Sequence, residues 1–205
     1  MIFLLALACS EFTVTPAEPP PVAQPPGSDP DEWGEPPDWT SCPQQYDGRY
    51  YNLPGSHPDL FDPGDTGLPA EDPQAVDWWD ASYLAFTRQD ATLDRGGDWW
   101  PVDQGLQGDP EFWAGRWLAW LRIVDGGDNQ LVLGASSDAW VYVDGELVAS
   151  VQGAAAFEPE AVTVTLQSGQ RRLELRTAHR GGESGLAFRP VGDGLAVCVG
   201  VDEEG

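Results

Sequence analysis

The sequence predicts an all-β fold, an antiparallel β-sandwich of jelly-roll type, reached through a proline-rich tether. Three observations predict it. Apolar and polar residues alternate at period two, as in Val162-Thr163-Val164-Thr165-Leu166, which buries one face of a strand and wets the other. Gly, Asp and Pro break the chain into short runs rich in β-branched and aromatic residues. No segment carries a long helical stripe.

The elements follow in order. Ile2 to Ala8 is a seven-residue apolar run ending in Leu5-Ala6-Leu7-Ala8-Cys9. It is too short to span a bilayer, which needs about 20 residues, but it fits a secretory h-region. Cys9 after Leu-Ala-Leu-Ala resembles the bacterial lipobox, in which the cysteine is lipidated and becomes the mature N-terminus. The resemblance implies export and a lipid anchor in a bacterial membrane, on the periplasmic side or the cell surface. Two features depart from the pattern: no basic residue precedes the run, and Ala6 stands where a branched aliphatic is usual. Residues 1–9 are thus read as a signal ending at the lipidated cysteine.

Residues 10–41 hold nine of the 19 prolines, seven acids and no base. Proline fixes φ and lacks an N–H, so helix and central strand are excluded. The stretch is expected to be a disordered, self-repelling tether, extended by up to about 3.1 Å per residue.

The folded domain is read as residues 42–200, with 201–205 as a tail. Its strand candidates are Arg116–Val124, Leu131–Ala135, Trp140–Val143, Glu146–Val148, Val162–Leu166, Leu173–Arg176, Leu186–Phe188 and Leu195–Val199. Asp144-Gly145 suits the positive-φ positions of a two-residue hairpin, and Ser168-Gly169 marks another turn. The alternation of Leu173 and Leu175 with Arg172, Glu174 and Arg176 predicts one buried and one wet face. Such a length buries about two-thirds of its unfolded surface, enough for a core.

Charge narrows the partners. Ten basic residues, all arginines, stand against 34 acids, for a net charge of −24. Nucleic acid is a poor partner for such a chain, because binding a polyanion needs a cationic face. The same balance disfavours docking on an anionic bilayer through a basic patch. Ten tryptophans argue against wholesale disorder.

There are three cysteines. With Cys9 lipidated, Cys42 and Cys198 remain near the two ends of the domain. A disulfide between them would staple ends that often lie close together and would require an oxidising compartment. Spacing alone leaves two unrelated thiols as the alternative.

Several segments, in order, resemble one family. Tyr46-Asp47-Gly48-Arg49-Tyr50-Tyr51 is similar to its opening G-x-Y-Y strand, and Arg88-Gln89-Asp90 with Leu93-Asp94 to its R-x-D-x-x-I-D segment. Trp113-Ala114-Gly115-Arg116-Trp117-Leu118 resembles F-S-x-R-W-x, Val143-Asp144-Gly145-Glu146-Leu147-Val148 resembles I-D-G-x-L-V, and His179 to Leu186 resembles the closing Gly-rich turn. The family is the anthrax protective-antigen-type, or PA-fourteen, β-sandwich, and Trp140–Gly145 also resembles the fibro-slime module. Residues 55–82 look like an insertion relative to it.

The resemblance implies a glycan or another cell-envelope component as partner. In sugar-binding members an adjacent aspartate pair, before the I-D-G strand, holds a calcium ion that takes sugar hydroxyls. Counting back from Asp144-Gly145 puts Ser136-Ser137 at that pair, with Asp138 next. Ser136, Ser137 and Asp138 are therefore the candidate ligand residues. Asp138, with Asp125 and Asp128 from a nearby Asp/Gly-rich segment, is the candidate calcium set, since calcium takes six to eight oxygens. Turn roles are the alternative for each. The resemblance also makes Trp100, Trp113 and Trp117 core residues, whereas Trp78 and Trp79, in the insertion, are candidates for a contact surface that stacks on a sugar.

Enzyme signatures are sparse. Two histidines, His57 and His179, leave little material for triads or zinc. Asp65-Thr66-Gly67 occurs once, without the second copy a carboxylate dyad needs. The expectation is a non-catalytic, surface-tethered carbohydrate-binding or adhesion module. The alternatives are a structural or protein-interaction module of the envelope and, less favoured, a polysaccharide hydrolase.

Overall fold

A computed structural model describes residues 30–52, 79–95, 112–151, 156–180 and 184–201. Cys9, Trp78, Trp99, Trp100 and most of the insertion lie outside the described residues.

The described chain forms ten strands: β1 (Tyr46–Asn52), β2 (Leu84–Asp90), β3 (Phe112–Ile123), β4 (Gly127–Ala135), β5 (Asp138–Val143), β6 (Glu146–Val151), β7 (Glu160–Leu166), β8 (Gly169–Arg180), β9 (Leu186–Val191) and β10 (Leu195–Cys198). The larger sheet runs β2-β1-β3-β8-β5-β6, with β10 on the β1 side of β3. The smaller sheet runs β7-β4-β9. Every pairing is antiparallel. Asp144 and Gly145 take φ 51° and 84° at the β5–β6 turn, as their dipeptide demands.

The core lies between the sheets. Trp117, Leu121, Leu131, Leu133, Val141, Leu175, Leu186 and Phe188 are its centre, each essentially inaccessible. Burying an aliphatic side chain of this kind contributes roughly 1.5–3 kcal/mol. Trp113 and Trp117 fall inside, as the resemblance implied.

The motif residues of β1 and β2 prove to be structural. The Asp90 carboxylate, buried, accepts from Trp117 Nε1 at 2.9 Å, Arg88 Nε at 2.9 Å and Arg95 Nη2 at 3.0 Å, and from the Tyr50 hydroxyl. Gly48 makes the arrangement possible, since a Cβ there would sit 2.7 Å from Asp90 Oδ2 and 2.8 Å from Trp117 Nε1.

The expected wet face of β8 is not wet. Glu174 and Arg176 are 2% and 4% exposed, because two segments cover the outer side of the larger sheet. The first is residues 30–41, expected in the tether. Trp33 packs there at 8% exposure, and its indole donates to Leu173 O at 3.2 Å. Trp120 Nε1 donates to Trp33 O at 3.1 Å, and Glu35 bridges Val201. The second is the end of the insertion and the residue that follows it, where Trp79 and Tyr83 pack on the cluster of Tyr51, Trp140 and Tyr142. Beneath these covers the charges are paired: Glu174 Oε1 takes Arg116 Nε at 2.7 Å and Arg176 Nε at 2.5 Å, and Arg116 Nη1 reaches Glu32 at 2.8 Å. Cys42 and Cys198 are joined by a disulfide with Cα atoms 6.1 Å apart, which locks the first segment to β10.

Candidate functional site

The Ser136–Asp138 segment is the turn from β4 to β5, where the chain passes from the smaller sheet to the larger. Across from it lies Ser184-Gly185, leading into β9. Three hydrogen bonds join them: Ser136 N to Gly185 O at 3.1 Å, Gly185 N to Ser136 Oγ at 2.8 Å, and Ser136 Oγ to Gly185 O at 3.5 Å. Gly185 also makes room for Phe157, whose ring a Cβ at that position would meet at 2.6 Å. Ser137 Oγ lies 3.5 Å from His179 Nδ1, and Trp113 packs against the His179 ring at 5.9 Å. Ser136, Ser137, Asp138, His179 and Ser184 are all buried, so polar side chains concentrate at this end of the sandwich. Thr177 Oγ1 donates to the Asp138 carbonyl at 2.7 Å, tying the start of β5 to β8.

The candidate calcium set does not assemble. Asp138 is 0% exposed and, by strand alternation, shares the face of Trp140 and Tyr142, away from Ser137. Asp125 is exposed in the β3–β4 turn. Asp128 lies in β4, where its Oδ1 accepts from Thr165 Oγ1 at 2.8 Å. The seven residue steps of β4 from Asp128 to Ala135 span about 24 Å at strand rise, so Asp125 and Asp128 mark the opposite end of the sandwich from Asp138. Among the described residues no three His, Cys, Asp or Glu side chains are placed to hold a metal ion. The donors present at residues 136–138 are two hydroxyls and one enclosed carboxylate, which do not suit a cation that prefers six to eight oxygens.

Trp79 is half-buried rather than displayed. Its Nε1 donates to Gly115 O at 3.0 Å, and its ring meets Trp140 edge to face at 6.0 Å. The Arg176 guanidinium lies 5.1 Å from its ring centre. These contacts make it a cover for the larger sheet.

The other end holds a feature that sequence reasoning passed over. A cleft of about 280 Å³ opens between the β5–β6 and β7–β8 turns, lined by Asp144, Glu146, Val148, Thr165, Gln167 and Arg171 among others. Only the Asp144-Gly145 and Ser168-Gly169 dipeptides signalled it, and both read as turns.

The architecture matches solved domains at low identity. A PA14 sugar-binding domain from an RTX adhesin superposes with TM-score 0.53 at 18% identity, over 75% of this chain and 97% of that one. The PA14 domain of the MpAFP antifreeze protein gives 0.56 at 16%, over 82% and 97%. This is the PA14 fold. The Epithelial Adhesin 6 A domain from Candida glabrata, solved with Galb1-3GlcNAc, gives 0.53 at 12%, over 83% and 92%. The chain spans under half, 45%, of an anti-sigma factor domain-containing protein from Clostridium clariflavum that it also matches, at TM-score 0.50 and 14% identity over 77% of this chain. No protein-family model matches the sequence, and no curated protein matches it. The PA14 fold accounts for the motif residues already placed, since Gly48, Tyr50, Asp90 and Trp117 build one buried junction.

Proposed function

We propose that this chain is a carbohydrate-binding or adhesion module, held at a bacterial envelope by a lipidated Cys9 and an acidic tether, and that it binds without turnover. The observation that carries the binding reading is the polar end of the sandwich. Ser136, Ser137, His179 and Ser184 collect there, on a fold shared with a sugar-binding domain of an RTX adhesin and an adhesin domain solved with a disaccharide. The anchor and tether rest on the sequence alone.

A second reading has its own support. The enclosed Asp138, together with the lack of a three-group metal set among the described residues, suits a structural or protein-interaction module of the envelope. One experiment separates the two. The oxidised chain is probed on a glycan array with calcium and then with chelator, beside Asp138→Ala. Binding supports the first reading, and its loss in chelator and in the variant would locate the contact at residues 136–138 and restore calcium. A folded sample that binds no glycan in either condition favours the second.

A further inference from the structure

We propose that the cleft between the β5–β6 and β7–β8 turns is a metal-independent subsite for one neutral or amino-substituted hexose unit. The proposal rests on the carbohydrate-binding reading and names a site for it at the end of the sandwich opposite Ser136–Asp138.

The cleft is built in advance. Asp144 accepts from Arg172 N at 2.9 Å through Oδ1, and its own N–H donates to Arg172 O at 2.8 Å. Its Oδ2 takes Arg171 Nη1 at 3.3 Å. Arg171 is held further by Ser168 O at 2.9 Å and Gln167 Oε1 at 3.2 Å. Thr165 Oγ1 donates to Asp128 Oδ1 at 2.8 Å. Fixed side chains of this kind lose little entropy when a ligand arrives.

The lining selects the ligand. Asp144 and Arg171 neutralise one another, while Glu146 makes no ion pair among the described residues. The cleft is therefore net acidic within a chain of net charge −24, which disfavours uronates, phosphates and other anions. Val143, Val148 and Leu166 supply aliphatic lining beside these polar groups. A pyranose has the matching form, with C–H groups on one face and hydroxyls around the edge. The Glu146 carboxylate can accept from two of those hydroxyls or from an ammonium group. At about 280 Å³ the cleft falls just below the range of drug-sized pockets, so it takes one ring and not a chain.

The test uses the full chain, nitrogen-15 labelled and with its disulfide intact. It is titrated with methyl β-galactopyranoside, methyl α-glucopyranoside and glucosamine, in chelator, to tens of millimolar. The expected result is amide shifts confined to residues 143–148 and 165–171 for at least one probe, with a dissociation constant on the order of millimolar. Glu146→Gln is expected to weaken that binding by roughly tenfold, and Val148→Trp to abolish it, both in chains whose spectra remain dispersed. Shifts at residues 136–138 and 184–186 with a silent cleft would overturn the subsite and leave the carbohydrate reading standing. Cleft shifts unchanged by both variants would also overturn it. No shift with any probe, together with no binding on the glycan array, would remove both.

Discussion

Tyr50 on β1 donates its hydroxyl hydrogen to the buried Asp90 carboxylate on β2, and the same oxygen accepts from Trp117 on β3. Three strands are thereby joined through one carboxylate, whose other oxygen is shared by Arg88 and Arg95. Tyr50 also stacks on Phe86 at 4.5 Å and meets Trp117 edge to face at 5.4 Å.

Removing the carboxylate should be far worse than removing one donor. Asp90→Ala strands two guanidinium groups, a phenol and an indole, and is expected to cost about 3–5 kcal/mol, as for a broken buried ion pair. Tyr50→Phe leaves three donors in place and is expected to cost about 1–2 kcal/mol. Urea unfolding of the two variants gives the comparison. Equal losses would show that Asp90 is not the junction.

The same region predicts how the fold fails in base. Burial pushes the Tyr46 hydroxyl up to about 12 from an ordinary 10. Burial, and then the Asp90 charge, also raise Tyr50 well above its ordinary value. Both groups stay protonated in the folded chain while their unfolded counterparts ionise. The stability they contribute is therefore complete below pH 10 and is lost as pH rises from there through the folded values. The slope for each residue is about 1.4 kcal/mol per pH unit. Thermal melts between pH 9 and 12 should show this loss, and the Tyr46→Phe, Tyr50→Phe double variant should show a shallower one. An unchanged slope in the double variant would refute the assignment.

Acid acts on the outer face. Burial alone would raise the Glu174 carboxyl, but the Arg176 and Arg116 charges outweigh it and hold the group below its ordinary 4.5. Glu174 thus stabilises the fold fully above pH 4.5, and that contribution is lost as pH falls through its lowered folded value. Glu174→Gln is expected to cost about 3 kcal/mol at neutral pH, because the buried Arg176 and Arg116 guanidinium groups lose the carboxylate they share, and only Arg116 keeps a second partner, in Glu32. The variant should also lose less stability than the parent between pH 4.5 and 2, by the same melts. A variant that retains the parent's acid slope would place that lability elsewhere.

These predictions trace what the residues disclosed in advance. Strands with period-two alternation and turns with Asp-Gly or Ser-Gly were legible, because side-chain spacing and positive φ are local properties. The closeness of Cys42 and Cys198 was legible from their places at the two ends of the domain. The burial of Glu174 and Arg176 was not, since it depends on Trp33 and Trp79 arriving from segments distant in sequence. Trp33 was hidden further by its proline-rich surroundings, which read as tether up to Ser41. The candidate site was legible as a position only. Counting back from Asp144-Gly145 found the β4–β5 turn, but not the Gly185 backbone that Ser136 binds, nor the alternation that turns Asp138 away from Ser137. The cleft at Arg171 needed two turns brought together, which no single run of residues announces.

The clamp over the outer face gives the last prediction. Trp33 is held by its indole donating to Leu173 O, by its carbonyl accepting from Trp120, and by the Arg116 and Arg172 guanidinium groups at 5.9 and 5.5 Å from its ring. Downstream the disulfide joins Cys42 to Cys198 across 156 positions. These restraints act differently. The disulfide constrains the unfolded chain, and for so long a loop the chain-entropy value is about 5 kcal/mol, against a usual 2–4. Trp33 acts on the folded chain, where burying a large aromatic is worth about 3–5 kcal/mol against alanine. With the bridge intact, Trp33→Ala should therefore release residues 30–41 to protease while the sandwich stays folded. The Cys42→Ser, Cys198→Ser double variant should lower the melting temperature with residues 30–41 still protected. Combining all three substitutions should cost more than the sum, because the bridge keeps the segment near its site when the indole contact opens. Limited proteolysis read by mass spectrometry, with melts of the same samples, distinguishes the two roles. Protection of residues 30–41 in Trp33→Ala equal to the parent's would show that the indole does not hold the clamp.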